Sequence, residues 1–168
     1  MQWETERLQI VELSPGMARA LHQLSLDAAN RRFLPDEVFE TEADAARAIE
    51  GLRAQYGRTD GPLVYAVALK GGPLIGHVEA APIPEGWEIG YHIGQEYTGR
   101  GYAAEAARAF APGVMALLNL GALYGVCDAE NAASCRVLEK VGFRLIDAGK
   151  GLYQRREIPI RRYVLGAE

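Results

Sequence analysis

Between Trp87 and Glu105 the chain reads Trp-Glu-Ile-Gly-Tyr-His-Ile-Gly-Gln-Glu-Tyr-Thr-Gly-Arg-Gly-Tyr-Ala-Ala-Glu, and no other stretch restricts the fold as tightly. Trp87, Ile89, Tyr91 and Ile93 alternate with Glu88, Gly90 and His92, the period of a strand with two unlike faces. Glycines at Gly94, Gly99 and Gly101 follow, and an alanine-rich helical run begins at once. That order bunches backbone N–H groups at a helix N-terminus, where the helix dipole favours negative charge. Glycine lets the backbone bend and come close to a ligand. The segment is a candidate anion cradle, with a diphosphate as the expected ligand.

Two kinds of protein build such cradles. Gly99-Arg-Gly101-Tyr-Ala-Ala104 fits the loose dinucleotide pattern, with Asp128 as its acidic ribose partner. A dinucleotide fold, however, usually opens with its glycine loop and needs a second parallel half. Here a long segment that reads as antiparallel strands precedes the loop, and little chain follows it.

The loop more closely resembles that of the GNAT superfamily of acyl-CoA-dependent N-acyltransferases. Its signature is [Gln/Arg]-x-x-Gly-x-[Gly/Ala], and Glu96-Tyr-Thr-Gly99-Arg-Gly101 follows it with Glu96 in place of Gln or Arg. Thr5-Glu-Arg-Leu8 is similar to the opening strand of the branch that includes ribosomal-protein N-terminal acetyltransferases, and Glu88-Ile-Gly-Tyr91 to that branch's fourth strand. Asn131-Ala-Ala-Ser134 and Glu139-Lys-Val-Gly-Phe143 resemble its late helix and the strand after it. The resemblance implies a single-domain α/β GNAT fold over residues 1–168, with an antiparallel N-terminal half and splayed central parallel strands flanked by helices. It also implies acetyl-CoA as co-substrate, with pantetheine lying in the V of the splayed strands.

The rest of the chain reads as follows. Leu8 to Leu13 is the first strand, and Ser14-Pro15 opens a helix with inward residues Met17, Ala20, Leu21, Leu24 and Ala28. Asn30 to Phe39 breaks the pattern, and Thr41 caps a second helix that carries Ala45, Ala48, Ile49 and Leu52 inward. Leu63–Leu69 and Leu74–Ala81 form a hairpin about Lys70-Gly-Gly-Pro73. A long helix from Gly101 to Asn119 or Leu120 contains Pro112, where a kink is expected. Leu123–Asp128 is a strand, Asn131–Val141 a helix stopped by Gly142, and Phe143–Asp147 and Glu157–Leu165 are the closing strands.

Acetyl transfer from a thioester to an amine needs a neutral amine, a carbonyl held near it, a donor for the oxyanion and a proton for the thiolate. Glu88 lies on the strand before the cradle, beside Gly90, whose missing side chain leaves room for a ligand; relatives use a carboxylate here as base. Glu79 is the rival, ahead of His77 and His92. Many relatives place a tyrosine donor where this chain has Leu138, and the resemblance gives that role to Ser134. It assigns Asn131 to the pantetheine arm, the Ile93 N–H to the thioester carbonyl, and Thr98, Gly99, Arg100, Gly101, Tyr102 and Ala103 to the diphosphate. Against these stand plain structural roles: a helix cap for Asn131 and Ser134, a rim charge for Glu88, a solvated side chain for Arg100. Arg136 and Lys140 are weaker candidates for the ribose phosphate.

A net charge of −4 gives no basic face for nucleic acid, and no apolar run reaches membrane-spanning length. Cys127 and Cys135 have neither metal nor disulfide-framework spacing and read as reduced, buried thiols; no metal site is expected. The expected protein is cytoplasmic, an acetyl-CoA-dependent N-acetyltransferase of a primary amine acting in a ternary complex. The competing class is a CoA-binding sensor or structural module. The acceptor, a protein N-terminus or a small-molecule amine, is set by the loops at 30–39, 82–86 and 149–156. Relatives often pair as homodimers, which leaves a homodimer possible.

Overall fold

The computed structural model describes residues 1–166. The chain opens with two short strands, β1 (Gln2–Glu4) and β2 (Leu8–Glu12), joined by a tight turn at Thr5–Arg7. Helix α1 (Ala18–Ser25) follows a 3-10 turn at Pro15–Met17. Of the expected stripe Leu21 is buried and Met17 packs partly against the same core, whereas Ala18 and Ser25 complete the buried face and Ala28 belongs to the next helix. The segment expected to be irregular contains α2 (Ala28–Phe33) and a 3-10 turn at Pro35–Glu37. Helix α3 (Glu42–Arg53) begins with a complete Thr41–Asp44 capping box and buries Ala45 and Ile49.

Next come β3 (Leu63–Leu69), β4 (Leu74–Ile83) and β5 (Gly86–Ile93), an antiparallel meander. Helix α4 (Tyr102–Leu118) runs unbroken through Pro112, and β6 (Ala122–Asp128) returns parallel to β5. Helix α5 (Ala132–Val141) ends on left-handed Gly142 at φ 108°. The last strands, β7 (Arg144–Tyr153) and β8 (Arg156–Gly166), form one long hairpin. The expected loop at 149–156 is therefore mostly strand: Gln154 and Arg155, both at positive φ, suffice as the turn.

All strands belong to one sheet in the order β1-β2-β3-β4-β5-β6-β8-β7. Alternation sends one set of side chains, including Tyr65, Val78, Trp87 and Ile89, into a core with Phe110 and Ala107 of α4 and Leu138 of α5. The opposite face packs Val64 and Ala66 against Leu21 of α1 and Ile49 of α3. Cys127 and Cys135 are buried, with their sulfurs 3.0 Å apart. Among the described residues no helix is long and apolar enough to cross a membrane, and no cluster of side chains could hold a metal.

One departure from regular pairing positions everything that follows. The parallel ladder between β5 and β6 has only two partner pairs, Glu88↔Tyr124 and Ile89↔Gly125. Beyond them β5 runs on to Ile93 and β6 to Asp128, so the sheet opens there into a wedge.

Candidate active site

A cavity of about 640 Å³ fills the wedge, lined by β5, the loop after it, the first turn of α4, the start of α5 and the 27–37 segment. At its α4 end, Gly99 and Gly101 hold left-handed φ values of 75° and 82°. These values favour glycine, and they turn successive N–H groups to one side of the loop. Among the described residues, the N–H groups of Gly99, Arg100, Gly101, Tyr102 and Ala103 donate to no protein atom. Thr98 differs, since its N–H and hydroxyl both donate to Gln95 O, at 3.3 and 2.8 Å. The run of open donors therefore starts one residue later than the sequence suggested. Gly99, Gly101, Tyr102 and Ala103 face the cavity, while the Arg100 side chain is exposed and off its wall.

The wedge exposes the edge of β5. Gly94 N–H pairs with Ile75 O of β4 at 2.8 Å, so by strand alternation the Ile93 N–H points the other way, into the gap that β6 has vacated. The N–H of Tyr91 points there for the same reason.

The two faces of β5 carry different chemistry. Glu88, Gly90 and His92 share the α1–α3 face with Glu79 and His77 of β4. Glu79 lies opposite Gly90, and a β-carbon on Gly90 would stand 2.7 Å from Glu79 Oε1. The space that Gly90 leaves is thus filled by Glu79's own carboxyl group, not kept clear for a ligand. Burial pushes the Glu88 carboxyl up to about 7, against the pull of Arg162 and with help from Glu37. Burial does the same to Glu79, also to about 7, with Glu37 and Glu88 adding repulsion. His77 is buried but bonded through Nε2 to Glu37 at 3.2 Å; burial opposes its charge, and the carboxylates outweigh it and raise its pKa. His92, next to His77, is driven down to about 3 by burial and by that neighbouring charge. His92 is therefore uncharged at neutral pH, and Glu79 and Glu88 hold their protons more tightly than exposed carboxyl groups do.

The other face holds Tyr91. Its hydroxyl donates to the main-chain oxygen of Ser134 at 2.9 Å and lies 3.0 Å from the Ser134 hydroxyl. In the sequence Tyr91 sits on an aromatic face with no partner in view, because the contact joins residues forty-three positions apart. Asn131 caps α5 through Oδ1, which accepts from Ser134 N at 3.1 Å. Its amide nitrogen remains to donate, so a cap and a ligand contact are compatible. Leu138 is buried over Gly125, where a β-carbon would meet its Cδ2 at 2.7 Å, and no proton donor stands there. Arg136 and Lys140 of α5 also line the cavity, as do Tyr153 at the end of β7 and Gln154 in the turn that follows.

An open row of amides at a helix start, a splayed strand edge and a carboxyl-bearing face make a cavity suited to an anionic, diphosphate-containing ligand. The sequence matches the model of the acetyltransferase (GNAT) domain family over residues 7–144, and the chain belongs to that family. It is 30% identical over 147 residues to a Bacillus subtilis protein named uncharacterized N-acetyltransferase YnaD, covering 86% of this chain and 83% of that one. A GNAT-family acetyltransferase from Bacillus anthracis superposes with a TM-score of 0.83 at 26% identity, over 98% of each chain. A RimL ribosomal L7/L12 alpha-N-protein acetyltransferase, solved with coenzyme A, shares the fold at TM-score 0.82 and 19% identity, over 96% of this chain and 94% of that one. The protein is an acetyl-CoA-dependent acetyltransferase, and the open amides at Gly99–Ala103 fit the diphosphate of that co-substrate.

Proposed function

We propose that the protein moves an acetyl group from acetyl-CoA to a primary amine by direct attack in a ternary complex, with Glu88 as base and Ser134 as proton donor. One observation carries this reading: Glu88 and Ser134 line the same cavity from opposite faces of the splayed sheet. The amine then arrives on the carboxyl-bearing face, and the thiolate departs toward α5.

Glu88 takes a proton from the bound ammonium, directly or through water, and the freed nitrogen lone pair attacks the thioester carbon. The carbonyl oxygen becomes an oxyanion held by the Ile93 N–H. As the tetrahedral species collapses, the C–S bond breaks and the sulfur takes the Ser134 hydroxyl proton, leaving amide and thiol. The second proton of the attacking nitrogen restores the Ser134 hydroxyl, and Glu88 returns the first to solvent. Glu79 shares the carboxyl face and keeps it attractive to a cationic amine. The Asn131 amide nitrogen holds the pantetheine arm, and the Gly99–Ala103 amides hold the diphosphate. Neither cysteine has a base beside it, and both are buried, so no acetyl-cysteine intermediate is needed.

The acceptor is a protein N-terminus or a small-molecule amine, and a cytoplasmic placement accords with two free thiols. The test is thiol release from acetyl-CoA against a panel of peptides and amines, in wild type and in Glu88→Gln. Turnover with a basic acceptor, lost in the variant while CoA binding survives, supports the reading. A second reading, a CoA-binding module of little activity, draws on apolar Leu138 where relatives carry a donor. It prevails if no acceptor in the panel raises thiol release above the uncatalysed rate.

A further inference from the structure

Arg7 lies far in sequence from the cradle, yet its side chain ends on it. From the β1–β2 turn, its Nε donates to Glu105 Oε2 at 2.7 Å and its Nη1 to the Arg100 main-chain oxygen at 3.1 Å. The guanidinium carbon stands 4.4 Å from the Tyr102 ring centroid. The Thr5 hydroxyl and the Arg7 N–H both reach the other carboxylate oxygen, Glu105 Oε1. These contacts bracket Gly101: Arg100 precedes it, Tyr102 follows it, and Glu105 N–H closes back on Gly101 O at 3.0 Å.

The geometry has a directional consequence. The Arg100–Gly101 peptide is trans, so its C=O and N–H point in opposite directions. Arg7 draws the Arg100 oxygen outward, and the Gly101 N–H is thereby turned toward the cavity that Gly101 lines. Glu105 presents a second problem that Arg7 solves. A carboxylate in the first turn of α4 suits the helix dipole, but it sits within one turn of the place where a diphosphate must bind. Arg7 and Thr5 occupy both of its oxygens with donors.

We propose that Arg7 is a positioning residue for the acetyl donor: it aims the Gly101 N–H into the cradle and offsets the charge of Glu105 beside the diphosphate. The proposal rests on the reading that the Gly99–Ala103 amides hold that diphosphate. It requires the planar fork of arginine, because one ammonium cannot bond a carboxylate and a carbonyl on different sides and also lie over a ring.

The test compares wild type, Arg7→Lys and Arg7→Ala with two donors: acetyl-CoA, and S-acetyl-pantetheine, which keeps the thioester arm and lacks the diphosphate and nucleotide. Both variants should raise the calorimetric Kd for CoA and the KM for acetyl-CoA on the order of tenfold, the scale of a lost charge-assisted hydrogen bond. Their kcat should stay within about twofold of wild type, and kcat/KM for S-acetyl-pantetheine should not change. That second donor also reports whether the variants are folded. Unaltered CoA affinity in both variants, or an equal loss with both donors, overturns the proposal. Failure of the cradle reading looks different: wild type itself would then use the two donors equally well.

Discussion

The hydroxyls of Tyr91 and Ser134 lie 3.0 Å apart, tying the free arm of β5 to the first turn of α5 across the opened sheet. Tyr91 also donates to the Ser134 main-chain oxygen, so in that arrangement the Ser134 hydroxyl directs its proton toward the phenol oxygen and must rotate to meet a thiolate. Burial raises the Tyr91 pKa, which keeps the phenol protonated through the working range. Ser134→Ala should therefore lower kcat about ten- to a hundredfold, the low end for lost acid catalysis, because a thiolate can also leave unaided. Tyr91→Phe should cost less, about threefold to tenfold, through a less well-placed Ser134. An activated thioester with a more acidic leaving thiol should abolish the Ser134→Ala deficit. If the deficit persists with that donor, Ser134 is not the proton donor.

The carboxyl face sets the pH dependence. As the proposed base, Glu88 works only when ionised, and its pKa is raised to about 7 mainly by burial. Activity should thus increase with pH through about 7 in kcat/KM for the amine and then level off as far as this group is concerned. Glu88→Gln should remove that limb and about a hundredfold of the rate or more. Glu79→Gln should retain most of the rate and leave the limb in place, since burial, Glu37 and Glu85 are what hold the Glu88 proton. A limb that survives in Glu88→Gln and vanishes in Glu79→Gln would exchange the two roles.

The same shifts bear on stability. Glu79 and Glu88 hold their protons more tightly folded than unfolded, so their contribution is favourable at low pH and is lost as pH rises from about 4.5 toward 7. Glu79→Gln removes a carboxyl that the fold prefers uncharged. It should stabilise the protein at pH 8 by on the order of 1 kcal/mol after discounting for access of solvent to the cavity, seen as a higher Tm, and have little effect at pH 4. Thermal denaturation at the two pH values reads the difference directly; a variant destabilised at pH 8 would show that Glu79 has a folded-state partner as an anion.

Which of these features the sequence discloses depends on the range over which they are encoded. The β5 alternation, the glycine cradle and the Thr41 and Gly142 helix boundaries are local, and each matches its structure. Helix α2 escaped because its six residues are too few for a period and Pro35 follows closely. The long β7–β8 hairpin escaped because Gly149 and Gly151 read as loop, whereas Gly151 is there to admit Ile160, whose Cδ1 would lie 2.3 Å from an added β-carbon. Contacts such as Arg7 with Glu105, Tyr91 with Ser134 and Glu79 over Gly90 join elements distant in the chain or neighbouring strands in register. A single sequence shows the residue types at such positions and not their meeting.

Pro112-Gly113 is the clearest case of a local signal with a distant cause. In a helix interior glycine is worth about 1 kcal/mol less than alanine, so propensity alone recommends Gly113→Ala as stabilising. The structure argues the reverse: a β-carbon there would stand 1.9 Å from Nε1 of Trp3 on β1. That indole cannot swing aside freely, since it packs edge-on against Tyr65 at 4.8 Å and Phe110 at 5.1 Å between ring centroids. Gly113→Ala should destabilise the protein by about 1–3 kcal/mol, the usual cost of overpacking, as measured by urea denaturation. Trp3→Ala removes the obstacle, so the two substitutions should be strongly non-additive, with Gly113→Ala neutral or stabilising in the Trp3→Ala background. A stabilised single variant would mean that β1 yields at little cost and that Trp3 does not pin it to α4.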